Sequence, residues 1–360
     1  MERIKSTVST LPLYFVFPGD LDTPTGGYHY DRRLIRELRL LGKDVVPVAL
    51  SDRFPTPDQD ALVDAEQKLS AIPNGAQVMI DGLAMGVMDQ LVSRHAKRLC
   101  LIALCHHPLA LEAGLDPGQR DALHHSEKRS LHSARATVVT SPHTAEILRT
   151  QFELDANSIL VACPGTDRIE FAPCLGNPPQ LLTVASLTRR KAHDVLIESL
   201  ASLADLPWQA RFVGGDHFDR EWAQQLRAQV NQQQLDRRID FVGAVDNLQP
   251  EYQQADLFVL PSRFEGYGMV FAEALAAGLP VIAARAGAVP DVVPASAGIL
   301  VPPDDAAALA EALREVLSNS TLRQDLQSGA RQAALALPGW RDSAILVQQL
   351  TEELANRSEY

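Results

Sequence analysis

Two glutamates, Glu265 and Glu273, stand eight residues apart in a stretch with the pattern of strand, loop, helix and strand. The apolar run at 257–260 predicts a buried strand, and a loop with one proline and two glycines leads to a helix that starts near Met269. A second apolar run at 281–284 predicts the next strand of a parallel sheet. Because ligands of such sheets bind at the carboxyl ends of the strands, we expect both carboxylates to face one crevice there.

A group of positive charges precedes another predicted helix. Arg189, Arg190 and Lys191 follow a predicted strand at 181–185 and come just before a helix that begins near Asp194. The amino-terminal end of a helix carries a partial positive charge, which adds to the three cations. The group therefore suits a diphosphate, with an exposed basic turn as the alternative interpretation.

The first half of the chain has weaker signals of the same kind. His106 ends the strand predicted at 99–104, where it can donate a hydrogen bond to a sugar hydroxyl or a phosphate, or simply bond within its loop. Gly26 and Gly27 open a helix after the first strand, so the backbone there can approach a ligand closely, although a plain turn explains the pair as well. Gly214, at the end of a later strand, permits close packing of a base or ribose, or is a turn residue.

Composition restricts the class of protein. The chain has 360 residues, 46% apolar and 22% charged, which is typical of a packed globular protein of two domains. The net charge of −12 argues against nucleic acid as the main partner. The 4 cysteines show no C-x-x-C spacing, so we expect reduced thiols rather than disulfides or zinc ligands. The D-x-D pair Asp20 and Asp22 is expected to be a solvated loop.

The predicted helix over 31–43 has a basic face, which is formed by Arg32, Arg33, Arg36, Arg39 and Lys43. Such a face is ordinarily solvated, and contact with an anionic acceptor or a membrane surface is the alternative. Since no apolar run reaches the roughly 18 residues of a membrane span and the first residues lack a signal peptide pattern, we expect a cytoplasmic protein. Peripheral contact with the inner face of the membrane stays open at this point.

The strand and helix patterns repeat on both sides of a proline-rich break at 173–179. We therefore expect an α/β protein of two doubly wound domains, an amino-terminal one over 1–175 and a carboxyl-terminal one over 176–340. Residues 341–360 are expected to form a terminal helix that is able to cross back to the first domain.

Residues 181–305 closely resemble glycosyltransferase family 4, which comprises retaining group 1 glycosyltransferases of the GT-B fold. The resemblance is carried by P-S-R-F-E-G-Y-G-M-V-F-A-E-A-L-A-A-G-L-P-V-I-A, which contains both glutamates, and by T-V-A-S-L-T-R-R-K-A-H-D. It implies two facing Rossmann-like domains, with the active-site cleft between them. The first domain would lie on the acceptor side, and the second would bind the nucleotide-sugar donor.

The resemblance also implies roles for individual residues. Glu273 would accept hydrogen bonds from the ribose, Glu265 would lie against the donor sugar, Lys191 would neutralise the diphosphate, and His106 would lie near the transferred sugar. The loop formed by Gly266, Tyr267 and Gly268 would present its amides to the donor.

The chain departs from the family pattern at three positions. Ser186 stands where many members have arginine, Ala192 where many have glycine, and Asp291 where many have glutamate. Arg189 or Arg190 is the expected source of the missing arginine charge.

The predicted function is transfer of a sugar, with retention of configuration, from a UDP-, GDP- or ADP-sugar to a glycan, lipid or small-molecule acceptor. No metal or other cofactor is expected. The alternatives are a nucleotide-sugar-binding partner subunit without catalytic activity, and an epimerase or phosphorylase of the same fold.

Overall fold

The structure is a computed structural model that describes residues 11–112 and 114–357. It divides into two compact units. The first unit runs to Gly165 and includes the chain from Pro338 onward, and the second comprises Thr166–Leu337.

The first unit alternates strands and helices along the chain. Its strands are β1 (Leu13–Pro18), β2 (Val45–Leu50), β3 (Gln77–Asp81), β4 (Cys100–Cys105), β5 (Ala136–Val139) and β6 (Ile159–Val161). Its helices are α1 (Gly26–Leu40), α2 (Gln59–Ala71), α3 (Gly82–Met85), α4 (Asp89–His95), α5 (Pro117–Ser133) and α6 (Pro142–Gln151). The strands form a parallel sheet in the order β2-β1-β3-β4-β5-β6.

The second unit repeats this architecture. Its strands are β7 (Gln180–Val184), β8 (Gln209–Val213), β9 (Ile239–Gly243), β10 (Leu257–Leu260), β11 (Val281–Ala284) and β12 (Gly298–Val301). Its helices are α7 (His193–Ala201), α8 (Arg220–Gln232), α9 (Gln249–Gln254), α10 (Met269–Ala276), α11 (Val289–Val292), α12 (Ala306–Ser318) and α13 (Ser320–Ala336). The parallel sheet has the order β12-β11-β10-β7-β8-β9.

The inner strands of both sheets are largely buried on both faces, which is why they are nearly continuous apolar runs rather than alternating ones. Every residue of β10 and of β11 is buried. Helices α7, α8 and α12 cover one face of the second sheet, around a core that includes Trp208, Phe212 and Leu313. This packing fixes the strand ends, from which the site residues project.

The order of the second sheet reverses between β7 and β10, its two central strands. In the first sheet the corresponding reversal lies between β1 and β3. Open parallel sheets bind ligands outside the carboxyl ends of the strands at such points. Each unit therefore has one sheet edge at which a ligand site is expected.

The division between the units differs from the one predicted after residue 175. Residues that follow Gly165 already bond to the second unit, since Ala172 N donates to the Ala277 carbonyl at 2.7 Å and Gly176 N donates to Asp256 at 2.8 Å. The proline-rich break is thus part of the second unit rather than a linker. Helix α14 (Trp340–Arg357) belongs to the first unit, where it packs on α1.

Trp340 joins α14 to the first unit. Its ring packs edge-on against His29 and Tyr30, with ring centroids 5.4 and 5.8 Å apart, and the Arg33 guanidinium lies 4.9 Å above it. Gly165 fits beneath the start of the helix, because a Cβ there would lie 2.1 Å from the Trp340 nitrogen. The first turn of α14 is therefore held by aromatic packing and by close backbone approach.

Replacing Trp340 with alanine should lower the free energy of unfolding by about 3–5 kcal/mol, because it empties a buried aromatic site. Urea unfolding followed by circular dichroism measures the change. Leu335→Ala is the matched control, since Leu335 is 60% exposed and should cost little. Equal losses in the two variants would contradict the packing of α14 described above.

Candidate active site

Glu265 is the centre of the cluster at the carboxyl edge of the second sheet. It follows β10, and its side chain is nearly buried, with 5% of the residue exposed. Lys191 Nζ donates to Oε1 at 2.6 Å, and an Arg190 guanidinium nitrogen lies 3.3 Å from Oε2. Arg190 also donates to the Phe264 carbonyl at 2.9 Å. The structure thus brings together Glu265 and two of the three cations expected from the sequence.

The electrostatics of this cluster keep Glu265 ionised. Burial by itself raises the pKa of Glu265, but the charges of Lys191 and Arg190 outweigh burial and lower the pKa to about 2. At neutral pH the carboxylate therefore accepts hydrogen bonds and has no proton to give. Two cations against one carboxylate leave a net positive charge, to which the amino-terminal end of α7 adds.

The cluster lies at the reversal point of the second sheet, because Arg190 and Lys191 follow β7 and Glu265 follows its neighbour β10. A turn of 3-10 helix, Arg189–Lys191, leads into α7 through Ala192, which has a φ of 53°. This left-handed conformation is the physical reason for the preference for glycine at this position, since a Cβ costs about 1 kcal/mol there. The chain keeps the conformation with alanine.

Arg263 connects the loop and the turn that carry the cluster, and it was not among the residues predicted from the sequence. Its guanidinium donates to Asp194 at 2.7 Å and to Asp304 at 2.6 Å, and it also contacts the carbonyl of Arg189. Its backbone nitrogen donates to the Arg190 carbonyl at 2.8 Å. Arg263 thus ties the loop of Glu265 to the turn of the cations. The only sequence signal was its place two residues before Glu265.

Arg189 has different neighbours from Arg190. Its guanidinium lies over the ring of Trp222, 4.3 Å from the centroid, and 4.0 Å from Asp219. Of the two arginines proposed as substitutes for the charge missing at Ser186, the geometry thus favours Arg190. Arg189 contributes its backbone carbonyl to the contact with Arg263.

Glu273 lies on α10, in a different setting from Glu265. Tyr252 of α9 donates its hydroxyl hydrogen to Glu273 Oε2 at 2.7 Å. Burial raises the pKa of Glu273, the hydrogen bond from Tyr252 lowers it, and the charge of Asp167 raises it further. The two glutamates thus bond to different partners. Tyr252 was not among the predicted site residues, and its spacing from Glu273 gave no sequence signal.

Loop glycines bring the surrounding backbone close to Glu265. Gly268 immediately precedes α10 with a φ of 86°, and Tyr267 before it is buried. Gly287 has a φ of 58°, and a Cβ there would lie 2.1 Å from the Glu265 carbonyl oxygen. Ala288 N donates to that same oxygen at 2.9 Å. The loop after β11 therefore packs directly on the loop of Glu265 and Gly266.

Close packing of two strand ends requires a glycine at position 214. A Cβ at Gly214 would lie 2.0 Å from the Ala185 carbonyl oxygen, so the ends of β7 and β8 approach each other only with glycine there. A contact of Gly214 with a base or ribose stays a prediction.

The first unit has its own cluster at the carboxyl edge of its sheet, formed at the ends of β3 and β4 and by α1. His106 Nε2, at the end of β4, lies 3.0 Å from Asp31 Oδ1 and 3.4 Å from Asp81 Oδ2. Gly27 lies beside the ring, because a Cβ there would be 3.4 Å from His106 Cδ2. The structure thus places His106 next to Gly27, and a role for Gly26 stays a prediction.

Asp31 and Asp81 were missed by the sequence analysis, although Asp31 had a readable signal. It stands at helical spacing from Leu34, Ile35 and Leu38, on the buried face of α1. An acidic residue on an apolar helix face calls for a buried partner, and here that partner is His106. Asp81 is the last residue of β3, at the edge where sites are expected.

The basic face expected over 31–43 is not one open surface. Arg33 lies against Trp340, Lys43 donates to Gln77 at 3.1 Å, and Arg39 donates to the Val45 carbonyl at 2.8 Å. The contact of Arg33 comes from α14, which packs on α1, whereas Arg39 and Lys43 bond to the first residues of β2 and β3. Burial lowers the pKa of Lys43.

Across residues 11–112 and 114–357, the helices are all too short or too polar to cross a membrane.

One group of side chains in the described chain has the composition of a metal site. The ligand atoms of Asp31, Asp81 and His106 lie within 4.8 Å of one another. All three elements that carry them meet at the sheet edge. His106 bonds directly to Asp31 and lies 3.4 Å from Asp81, so the imidazole itself is the cation beside these carboxylates. That the protein requires no metal stays a prediction. Asp20 and Asp22 are exposed, with a local bond of 2.9 Å between Asp22 N and Asp20 Oδ1.

His193, in the first turn of α7, is a buried base next to the cation cluster. Within the described chain, neither of its ring nitrogens has a hydrogen-bond partner, and its ring packs edge-on against Phe212 with centroids 5.4 Å apart. Burial lowers the pKa of His193 to about 3, with a further lowering by the charge of Lys191. The folded chain therefore keeps His193 neutral.

This histidine should make the chain less stable in mild acid. The unfolded chain takes up a proton near pH 6.5 and the folded chain does so only near pH 3, so stability is lost as the pH falls through this window. Between pH 7.5 and pH 5 the loss from His193 should be about 2 kcal/mol. Urea unfolding of His193→Leu and wild type at both values tests this. An unchanged pH dependence in the variant would contradict the neutral, buried histidine.

Replacing Gly287 with alanine should displace the loop of Glu265. The clash with the Glu265 carbonyl and the positive φ together should lower the free energy of unfolding by about 2–4 kcal/mol. If the site binds the nucleotide-sugar expected from the sequence, the substitution should also weaken that binding. Unfolding in urea and calorimetric titration with nucleotide measure the two effects. Gly42→Ala is the matched control, because Gly42 has a φ of 87° and open space around its Cβ position. Similar loss of nucleotide binding in both variants would refute a specific effect on Glu265.

Comparison with known sequences finds similarities in the second unit. Residues 178–319 match the family model described as Glycosyl transferases group 1. A D-inositol 3-phosphate glycosyltransferase of Jonesia denitrificans is 30% identical over 231 residues, which cover 58% of this chain and 54% of that protein. The chain thus matches about half the length of that relative.

Comparison with solved structures gives the fold of the chain. Sucrose-phosphate synthase from Thermosynechococcus elongatus has a TM-score of 0.80 at 23% identity, with 96% of this chain and 100% of that chain covered. Anabaena HepE in complex with UDP and glucose has a TM-score of 0.73 at 18% identity, with 95% and 99% covered. These likenesses confirm the GT-B fold. Residues 178–319 are thus similar in sequence to the group 1 glycosyl transferases, and the chain as a whole is similar in fold to these solved structures.

Proposed function

We propose that the chain is a retaining glycosyltransferase that moves a sugar from a UDP-, GDP- or ADP-sugar to a hydroxyl of a glycan, lipid or small-molecule acceptor. The single observation that carries the proposal is the cluster of Lys191, Arg190 and Glu265 at the reversal point of the second sheet. The family match covers the same region of the chain.

The cluster suits a leaving nucleotide diphosphate. Charge grows on the phosphate oxygens as the bond from the sugar breaks, and Lys191 and Arg190 are already fixed where they can stabilise it. Such preorganised donors are worth on the order of 2.7–4 kcal/mol each in other enzymes. Because the cations are held by Glu265 before the donor arrives, little reorganisation is needed when the charge develops.

Glu265 would act as a fixed negative charge. Its pKa of about 2 rules out a general acid at neutral pH, so it cannot protonate the leaving group. A carboxylate beside the donor sugar would stabilise the positive charge of an oxocarbenium-like transition state and accept hydrogen bonds from sugar hydroxyls. In the proposed front-face route, the leaving phosphate itself accepts the proton of the acceptor hydroxyl, and the new bond forms on the face that the phosphate leaves.

Glu273 would hold the nucleoside part of the donor. Tyr252 donates a hydrogen bond to Oε2 of Glu273. The carboxylate has further lone pairs that can accept a hydrogen bond from a ribose hydroxyl. The proposal covers any nucleobase and any sugar.

Peripheral membrane contact through residues 31–43 gains no support from the geometry, since Arg33, Arg39 and Lys43 have partners within the first unit.

The test is release of nucleotide from a panel of UDP-, GDP- and ADP-sugars, with water and with glycan and lipid extracts as acceptors. Lys191→Ala should lower kcat by about 10²–10³, because it removes a donor to the leaving phosphate. Glu273→Ala should raise KM for the donor more than it lowers kcat. Donor binding without release under all conditions would favour the partner-subunit alternative, and neither binding nor release would refute the proposed donor class.

The two neighbouring arginines offer a sharper comparison within the same assay. Arg190→Ala should lower kcat/KM at least tenfold, since Arg190 contacts Glu265, and Arg189→Ala should have a smaller effect because its guanidinium packs on Trp222. Both variants remove the same charge from adjacent positions, so general electrostatic effects are matched. A larger loss in Arg189→Ala would show that Arg189 supplies the charge missing at Ser186.

A further inference from the structure

His106 is held by two buried carboxylates at one of its nitrogens. Asp31 Oδ1 lies 3.0 Å and Asp81 Oδ2 3.4 Å from Nε2, and both aspartates are almost wholly buried, with 0% and 1% exposed. The three residues come from α1, the end of β3 and the end of β4, so the contact depends on the assembled sheet edge.

The ring and both carboxylates are fixed by their surroundings. Tyr30 packs edge-on against the imidazole, with centroids 5.2 Å apart, and Gly27 lies beside the ring, where a Cβ would be 3.4 Å from His106 Cδ2. Asp81 Oδ1 accepts from Leu83 N at 2.8 Å, which directs the other oxygen toward the histidine. Asp31 Oδ2 has no hydrogen-bond partner within the described chain, so the charge of Asp31 is compensated chiefly through His106.

These contacts decide what the other ring nitrogen can do. A carboxylate only accepts hydrogen bonds, so Nε2 must carry a hydrogen. In a neutral imidazole Nδ1 would then be an acceptor and a base, whereas in the cation both nitrogens are donors. One hydrogen-bonded carboxylate and a second one 3.4 Å away, both buried, favour the cation.

We infer that Asp31 and Asp81 are positioning residues that hold His106 as an imidazolium, so that its Nδ1 donates a hydrogen bond and cannot serve as a general base. The role of His106 in catalysis rests on the proposed glycosyl transfer, whereas its protonation state does not. A permanently cationic His106 can donate to a sugar hydroxyl or a phosphate oxygen, and it leaves the proton of the acceptor to the departing phosphate.

A second histidine in the same unit shows the opposite arrangement. His95 Nε2 lies 3.1 Å from Glu66, but Arg98 Nε donates to His95 Nδ1 at 3.0 Å. That bond requires Nδ1 to be an acceptor, so His95 is neutral. Burial and the charges of Arg98 and Arg94 lower the pKa of His95, although Glu66 raises it. One carboxylate beside arginines thus gives a neutral ring.

The charges around His106 agree with the geometry. Burial alone lowers the pKa of His106, but Asp31 and Asp81 outweigh it and raise the pKa to about 10. Burial raises the pKa of Asp31 to about 6, against the lowering by His106 and by the more remote Arg32. Tyr30, the other titratable ring in contact, has its pKa raised by burial and stays neutral.

The test is the protonation state of the His106 ring, which does not depend on turnover. Nitrogen-15 spectra of histidine-labelled protein, with His106→Gln for assignment, should show both His106 nitrogens protonated from pH 6 to at least pH 8.5. His95 should show one protonated nitrogen and serves as the internal reference. A neutral His106 ring at pH 7.5 would overturn the inference whether or not the protein transfers sugars.

Two variants separate the roles of the carboxylates. In Asp31→Asn and in Asp81→Asn the titration midpoint of His106 should fall by about 1–3 pH units, since each substitution removes an adjacent charge. Asp89→Asn is the matched control, because Asp89 pairs with Arg129 in the same unit, at 2.7 Å. If only one of the two variants folds, the titration midpoint of His106 in that variant is the test. A midpoint unchanged from wild type would refute the inference.

The pH profile of sugar transfer adds a functional measurement. In wild type, kcat/KM should show no His106 ionisation between pH 6 and 8.5, and in Asp81→Asn it should fall about tenfold per pH unit above the lowered midpoint. Wild-type activity that instead requires a deprotonated His106 would contradict the inference. A shift of the His106 signals with stoichiometric Zn²⁺ would also overturn it, in favour of a metal site formed by the same three residues.

Discussion

A carboxylate that is buried must be matched by cations, or it becomes protonated or destabilises the fold. Glu265 is the carboxylate on which the second unit depends in this way. It stays charged because Lys191 and Arg190 contact its two oxygens, and those cations stay in place because Arg263 bonds their turn to the loop of Glu265. The ionic contacts of Glu265, Lys191, Arg190 and Arg263 thus join four parts of the unit: the ends of β7 and β10, the first turn of α7 and the loop before α10.

The close backbone contacts around the cluster follow from this joining. Gly287 and Gly214 lie where two loops approach within a distance that excludes a Cβ, and Ala192 keeps a left-handed conformation so that α7 can start directly after Lys191. These positions cost conformational freedom or strain. Ionic contacts and buried strands on both sides hold them, which is how a site can be rigid although its residues lie on loops.

The first unit applies the same physical rule with the charges reversed. There the cation is an imidazole, and two buried aspartates hold it at the edge between β3 and β4. His95, a few residues away from that strand, has a single glutamate and an arginine as partners and has the opposite pKa shift. Identical side chains in one unit thus acquire different chemistry from their neighbours alone. The same holds for Glu265 and Glu273, whose pKa values move in opposite directions.

The sequence by itself determined the alternation of strands and helices, because long apolar runs and glycine-marked ends are local signals. It also determined the identity of Glu265, Glu273, Lys191 and His106 as candidates, since parallel sheets place sites at strand ends. The partners of these residues were decided by the tertiary structure alone. Contacts such as those of Asp31 with His106, or Arg190 with Glu265, join residues 75 positions apart, and no local pattern encodes such a distance. For the same reason, the boundary of the units and the packing of α14 on the basic helix are evident only in the folded structure.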